Sequence, residues 1–193
     1  MTTNSFISML ESYVPYDVQD AADKQFILDF YKKHDGDIFT RDNEESHMTA
    51  SCWVVNPSRT KVLMAYHNIY NSFGWLGGHA DGEQDMASVA KKELAEESGL
   101  KNFKMLAPGI FMTYKLPVLP HTKNGRPIKE HGHIGFAYLF EASDTEPIRV
   151  RKGENSRIEW IPVSKILDAV SETDAHMLPV YIRIMEKMRK EGL

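Results

Sequence analysis

One cysteine in 193 residues rules out an intramolecular disulfide. That residue, Cys52, lies inside an apolar stretch and reads as a small core residue rather than a nucleophile. Charge of one sign is not in excess either: 23 Lys and Arg face 27 Asp and Glu, for a formal net charge of -4. Nothing in that balance points to a protein built to neutralise a nucleic-acid backbone. No apolar run approaches the length needed to span a membrane. The opening stretch, MTTNSFISMLESYVPYDVQD, has neither the positive flank nor the apolar run of a signal peptide. Internal repeats and low-complexity segments are also missing. The expectation is a cytoplasmic protein with no membrane or nucleic-acid partner.

What remains is an ordinary globular balance, 42% hydrophobic and 26% charged, in a chain long enough for one domain with a full core. Residues 4–13 set Phe6, Met9, Leu10 and Tyr13 at helical spacing. After Pro15, residues 17–33 repeat the pattern with Ala21, Phe26, Ile27, Phe30 and Tyr31. The polar, turn-rich stretch 34–46 follows, so residues 1–44 read as an N-terminal helical extension and 45–193 as the main domain. From residue 47 the pattern becomes strand-like. Segments 47–56 and 61–68 flank Pro57-Ser58-Arg59-Thr60 as a hairpin, and 109–116, 133–142 and 157–162 are further strands. Residues 121–132, with Gly125 and Pro127, read as a loop. Two helices close the chain, 164–171 and 174–191, with Pro179 blurring the start of the second. One long helix, 86–98, interrupts the strand region. Strands and helices without regular alternation favour a mixed α/β sandwich over a doubly wound sheet.

The helix at 86–98 carries the chemistry. Asp85 can cap its start and Gly99 its end. At about 100° per residue, Met86, Val89, Ala90 and Leu94 form an inward stripe that Glu93, Glu96 and Glu97 continue. Three carboxylates near the negative end of a helix dipole are each disfavoured by about 0.3–1 kcal/mol, and Glu93 and Glu97 are a like-charged i,i+4 pair. Local rules broken together indicate a missing compensating charge. Clustered carboxylate oxygens suit a hard ion, Mg²⁺ or Mn²⁺, which also takes water and substrate phosphate as ligands.

Gly78, Glu93, Leu94, Glu96, Glu97, Gly99 and Leu100 fall at the spacings of the Nudix hydrolase signature, and residues 45–170 resemble that superfamily more widely. The resemblance implies a Nudix-type α/β/α sandwich with a mixed sheet, and a pyrophosphohydrolase. It implies Glu96 and Glu97 as principal metal ligands and Glu93 as a ligand or as helper in deprotonating water. Glu93 and Glu96 thus become the catalytic pair, and Gly78 supplies a carbonyl to the metal shell. Gly77 and Trp75, beside the turn, are the candidate substrate contacts. Glu154, in RKGENSR, is a candidate for a further acid from outside the helix, though a solvated loop acid is the plainer reading.

Two positions depart from the signature. Gln84 stands where the family has a glutamate, with Glu83 one step away, and Lys92 replaces an arginine. Glu83 or Gln84 facing Lys92 is the expected brace between loop and helix. His131 and His133 are two, too few for a zinc site, and read as loop and strand-edge residues. The expected substrate is a nucleoside diphosphate linked to another moiety, read by loops such as 117–132, with a homodimer as the family-based expectation. A nucleotide sensor on the same fold is the alternative. A prenyl-diphosphate isomerase is a weaker one, because it needs a reactive cysteine that Cys52 does not provide.

Overall fold

The computed structural model describes residues 3–123, 125–151 and 155–193. Two helices open the chain, α1 (Thr3–Ser12) and α2 (Val18–Lys33). Asp17 starts α2 by accepting from the Asp20 amide at 2.8 Å, and Lys32 and Lys33 sit at its negative end. Phe6, Leu10 and Ile27 are fully buried, and the Phe6 ring stacks 5.9 Å from Phe136 in the sheet. The N-terminal helices therefore share one core with the strands.

Next come β1 (Ser46–Val55) and β2 (Lys61–His67), the expected hairpin. Its turn is organised by the Asn56 side-chain oxygen, which accepts from the amides of Thr60 and Lys61 at 2.9 and 3.0 Å. The remaining strands are β3 (Ser72–Gly74), β4 (Leu76–His79), β5 (Phe103–Met105), β6 (Met112–Val118), β7 (His121–Lys123), β8 (Arg126–Ile128), β9 (His131–Ala142) and β10 (Asn155–Pro162). Five of these, β3 to β5, β7 and β8, have three or four residues, too few to show a period in sequence. The stretch expected as a loop over 121–132 contains a small hairpin, β7 with β8. Gly125 turns it at φ +74°, and Pro127 sits in a two-stranded ribbon where a missing amide is tolerated.

The main sheet runs β10-β2-β1-β9-β5, with β3 beside β2, β4 beside β1 and β6 beside β9. β1 and β9 are parallel and the other pairs antiparallel, so the sheet is mixed. Every residue of β1 is buried, as befits a central strand covered on both faces. Met48, Ala50, Cys52 and Val54 pack with the N-terminal helices and with α3 (Met86–Ser98). Trp53 and Val55 point the other way, into a second cluster with Tyr181 and Ile184. Those belong to the C-terminal helix α5 (Leu178–Glu191). Before it, the first expected helix is broken into a 3-10 turn at Val163–Lys165 and α4 (Ile166–Ala169), and the second opens as a 3-10 segment at Glu172–Met177 that leads into α5. Pro179 lies in the first turn of α5, where its lack of an amide hydrogen costs nothing, so it starts the helix rather than blurring it. The result is the expected α/β/α sandwich. No helix among the described residues is long and apolar enough to cross a membrane.

Alternation along β1 also sets the site. His47, Thr49 and Ser51 share the face of Trp53, so the N-terminal half of that face is polar and lines a cavity.

Candidate active site at the glycine turn

The helix that carries the acids has the expected ends. Asp85 accepts from the Ser88 amide at 3.1 Å, and Gly99 adopts φ +70° with its amide on the Ala95 carbonyl. Met86, Val89, Ala90 and Leu94 are buried as the periodicity predicts. Glu93 and Glu97 lie on the flank of that stripe, while Glu96 is more exposed.

β4 lays Gly77 and Gly78 against β1, opposite Ser51 and Ala50. A side chain at Gly77 would run into the backbone of β1, and one at Gly78 would displace the end of the Glu93 side chain. A Cβ at Gly77, which sits at φ +154°, would come 2.4 Å from the Ala50 carbonyl oxygen. One at Gly78 would come 2.5 Å from the carboxyl carbon of Glu93. The turn is therefore a cradle for the acids of α3. The Gly77 amide donates to Glu97 Oε2 at 3.0 Å, and the Asn155 side-chain amide donates to Glu97 Oε1 at 3.0 Å. Both oxygens of Glu97 are thus aimed by fixed donors.

Burial pushes the Glu93 carboxyl above the usual carboxylate range, with neighbouring Lys92 pulling it back and Glu96 adding to the rise. Arg151 supplies part of the compensating charge: its guanidinium donates to Glu96 Oε2 at 2.7 Å and lies 3.9 Å from Glu93 Oε2. Glu93 and Glu97 meeting at a backbone turn fit a hard, oxygen-seeking divalent ion. Glu96 is turned toward Arg151 and would have to exchange that partner to join them. Glu154 lies outside the described residues. Its neighbour Asn155, which sequence reasoning passed over, is the residue seen to reach Glu97.

The expected brace is corrected. Glu83 accepts from the Asp85 amide at 2.8 Å, and the ion pair of Lys92 is with Glu93 at 3.8 Å. Among the described residues no hydrogen bond or ion pair joins Lys92 to Glu83 or Gln84, because Lys92 lies on the exposed side of α3. The loop is held from elsewhere. Arg41 pairs with both oxygens of Asp81 at 2.8 Å, and the Gly82 amide donates to the Phe39 carbonyl at 2.9 Å. The segment after α2 thus ties down the loop that sequence logic tied to α3.

Trp75 is buried, its ring 5.0 Å from Tyr114 and 5.2 Å from Tyr181, so it forms part of the cavity's inner wall. The Tyr114 hydroxyl shares hydrogen bonds with the Thr49 and Ser51 hydroxyls at 2.8 Å each, and burial pushes its phenol up to about 12. Of the three glutamates, Glu97 lines this cavity of roughly 480 Å³, and Gly77, Gly78 and Tyr70 also border it.

On the same wall lies a histidine group that sequence reasoning missed. One ring nitrogen each of His47, His79 and His133 falls within 4.8 Å of the others. His131 stands alongside, its ring 4.9 Å from His47. Two histidines were too few in the sequence because the others arrive on other strands, through a pairing between β1 and β9 that local pattern does not reveal. Burial, and then the neighbouring histidines, hold His133 well below its ordinary pKa; burial also lowers His47.

The NUDIX domain family model matches residues 9–181. The chain belongs to that family, and its class is an enzyme of the pyrophosphohydrolase type. Members of the family generally use divalent metal ions. Solved structures agree on the fold. A Nudix hydrolase from M. smegmatis, RenU, superposes with TM-score 0.53 at 13% identity, over 76% of this chain and 88% of that one. A C. elegans Ap4A hydrolase in a binary complex gives 0.54 at 12% identity, over 75% and 98%. The NUDIX domain of Shewanella oneidensis NrtR complexed with ADP ribose gives 0.53 at 13% identity, over 84% and 98%. No curated protein matches the chain in sequence.

Proposed function

We propose that the protein is a metal-dependent hydrolase that cleaves the diphosphate bond of a nucleoside diphosphate linked to another moiety. The observation that carries this reading is the double anchoring of Glu97 by Gly77 and Asn155 on the wall of the cavity. Such anchoring fixes a carboxylate where an ion and a phosphate chain can meet. Two neighbours of the same fold point to the substrate class, since one is an Ap4A hydrolase and another is complexed with ADP ribose.

In this reading Glu93, Glu96, Glu97 and the Gly78 carbonyl hold Mg²⁺ or Mn²⁺. An ion held by these groups would neutralise phosphate charge and make a bound water a better nucleophile. Gly77 and Gly78 keep side chains out of the way so that the phosphate chain can approach the backbone. Glu93 would serve either as a ligand or as the group that takes the proton of the attacking water. Glu96, released from Arg151, completes the acid array.

The second reading is a nucleotide sensor on this fold, and the Arg151–Glu96 pair is the observation that favours it, because a guanidinium beside the acids competes with an ion. A prenyl-diphosphate isomerase is not supported. Cys52 is fully buried, its thiol donates to the Ala90 carbonyl, and burial pushes its pKa well up.

The deciding experiment measures phosphate or nucleotide release from a panel with Mg²⁺ or Mn²⁺. The panel holds nucleoside triphosphates, ADP-ribose, nucleotide sugars, dinucleoside polyphosphates and dinucleotide cofactors. Turnover of one class, lost in Glu97→Gln, supports the hydrolase. Nucleotide binding without turnover across the panel moves the assignment to the sensor.

A further inference from the structure

We infer that His47, His79 and His133 form a second metal site in this pocket, separate from the glutamate helix and built for a divalent ion of the zinc class. The inference does not depend on the hydrolase reading, because none of its ligands comes from α3.

The first support is placement. The three residues stand on three neighbouring strands: His47 of β1 is the register partner of His133 of β9, and His79 of β4 lies opposite Thr49 of β1. Ligands on paired strands are held more rigidly than ligands on loops. Their ring nitrogens already lie within 4.8 Å of one another. Around a tetrahedral ion with nitrogen ligands at the usual distance, neighbouring nitrogens are about 3.4 Å apart. Closing the group takes roughly an ångström of side-chain rotation.

The second support is unmet hydrogen bonding. His79 Nε2 and His133 Nε2 are 3.1 Å apart, so one must donate and the other accept, and the pair shares a single proton. His47 Nε2 is buried and has no hydrogen-bond partner among the described residues. Three nitrogens converging on one point are poorly served by a single proton. A cation serves all three lone pairs at once.

The third support is the layer behind the ligands. His47 Nδ1 lies 3.2 Å from the Asn43 carbonyl, which can only accept, so the proton sits on Nδ1 and Nε2 keeps its lone pair. A carbonyl behind a ligating imidazole is the usual way its tautomer and angle are set. Asn43 is itself buried and fixed: its side-chain amide donates to the Asp37 carbonyl at 2.9 Å, and its side-chain oxygen accepts from the amide of Ser46 at 3.2 Å. His131 Nδ1 is engaged with the Lys129 carbonyl at 2.9 Å, which leaves that ring beside the trio rather than within it.

Imidazole selects zinc and its neighbours over magnesium, which prefers oxygen, so the two sites of the pocket would sort ions by ligand chemistry. Three protein ligands leave a coordination position open toward the cavity, the arrangement of sites that take a water or a ligand.

The test uses the full chain, stripped with a chelator, and reads metal binding without any turnover. Co²⁺ is titrated while the visible ligand-field absorption is followed, and Zn²⁺ then competes it away. One equivalent of Co²⁺ should give an intense visible band that Zn²⁺ removes. His79→Gln and His133→Gln should each weaken binding by about tenfold or more, while Glu97→Gln should leave it within about threefold. Circular dichroism and the melting temperature of the metal-free variants check folding. If the buried His47→Gln fails to fold, the partly buried His79→Gln carries the test. A missing band, equal affinity in wild type and both histidine variants, or a loss seen only in Glu97→Gln each overturns the site. The last two outcomes would leave the trio as a polar patch of the pocket wall.

Discussion

The Cα of Gly78 faces the Glu93 side chain so closely that a methyl group there would stand 2.5 Å from its carboxyl carbon. Gly78→Ala must therefore push Glu93 aside or move β4. Displacing a functional carboxylate by about an ångström can cost on the order of 100-fold in rate, and overpacking of this kind costs about 1–3 kcal/mol. Metal-dependent turnover should fall by about that 100-fold, together with a lower melting temperature. Gly82→Ala is the control: it has nothing within 4 Å of an added Cβ, but its φ of +93° makes it destabilising too. Equal loss of activity in both variants, or full activity in Gly78→Ala, would refute the assignment of the turn to the site.

Arg151 pairs with Glu96 at 2.7 Å but is more than half exposed, so the pair is worth at most about 1 kcal/mol. If the guanidinium stands in for the missing cation, Arg151→Gln should lower the Mg²⁺ concentration that gives half-maximal activity by about twofold to fivefold. The substrate KM should change little. A rise in KM at saturating Mg²⁺ would instead make Arg151 a phosphate contact. Metal titrations at two substrate concentrations separate the outcomes.

What the sequence disclosed and what it hid follow from the range of the interactions. The boundaries of α3, its Asp85 and Gly99 ends and its buried stripe depend on local spacing, and all were legible. So were the hairpin of β1 with β2 and the two glycines, since a turn that crowds any added side chain leaves its mark in residue type. The brace was misread because its partners, Arg41 and Asp81, are 40 residues apart and neither belongs to the helix. Asn155 escaped notice because a lone amide beside a polar stretch, at the start of β10, has no distinguishing pattern until the fold brings it to Glu97. The histidine group is the clearest case. His47, His79 and His133 are scattered along the chain, and the strand order that gathers them is set by parallel pairing between β1 and β9.

Arg183 of α5 clasps both oxygens of Asp17 at 2.8 and 2.9 Å, tying the C-terminal helix to the residue that caps α2. Burial pushes the Asp17 carboxyl up, but the hydrogen bonds and charge of Arg183 outweigh it and leave the group below its ordinary value. Asp17→Asn keeps a capping oxygen and removes the charge, so it isolates the ion pair. With Arg183 mostly buried, the loss should be about 1–2 kcal/mol at neutral pH. The sign with pH follows from proton counting. Because the folded protein holds this carboxyl at a lower pKa than the unfolded chain, the unfolded state takes up the proton first as pH drops. The contribution is complete above the unfolded value of about 3.9 and fades as pH falls through the lower folded one. The melting-temperature gap between wild type and Asp17→Asn should thus be constant from about pH 7 to 5 and close below about pH 4. A gap that persists in acid would show that the asparagine acts through packing or the cap, and no gap at neutral pH would show that the pair contributes nothing.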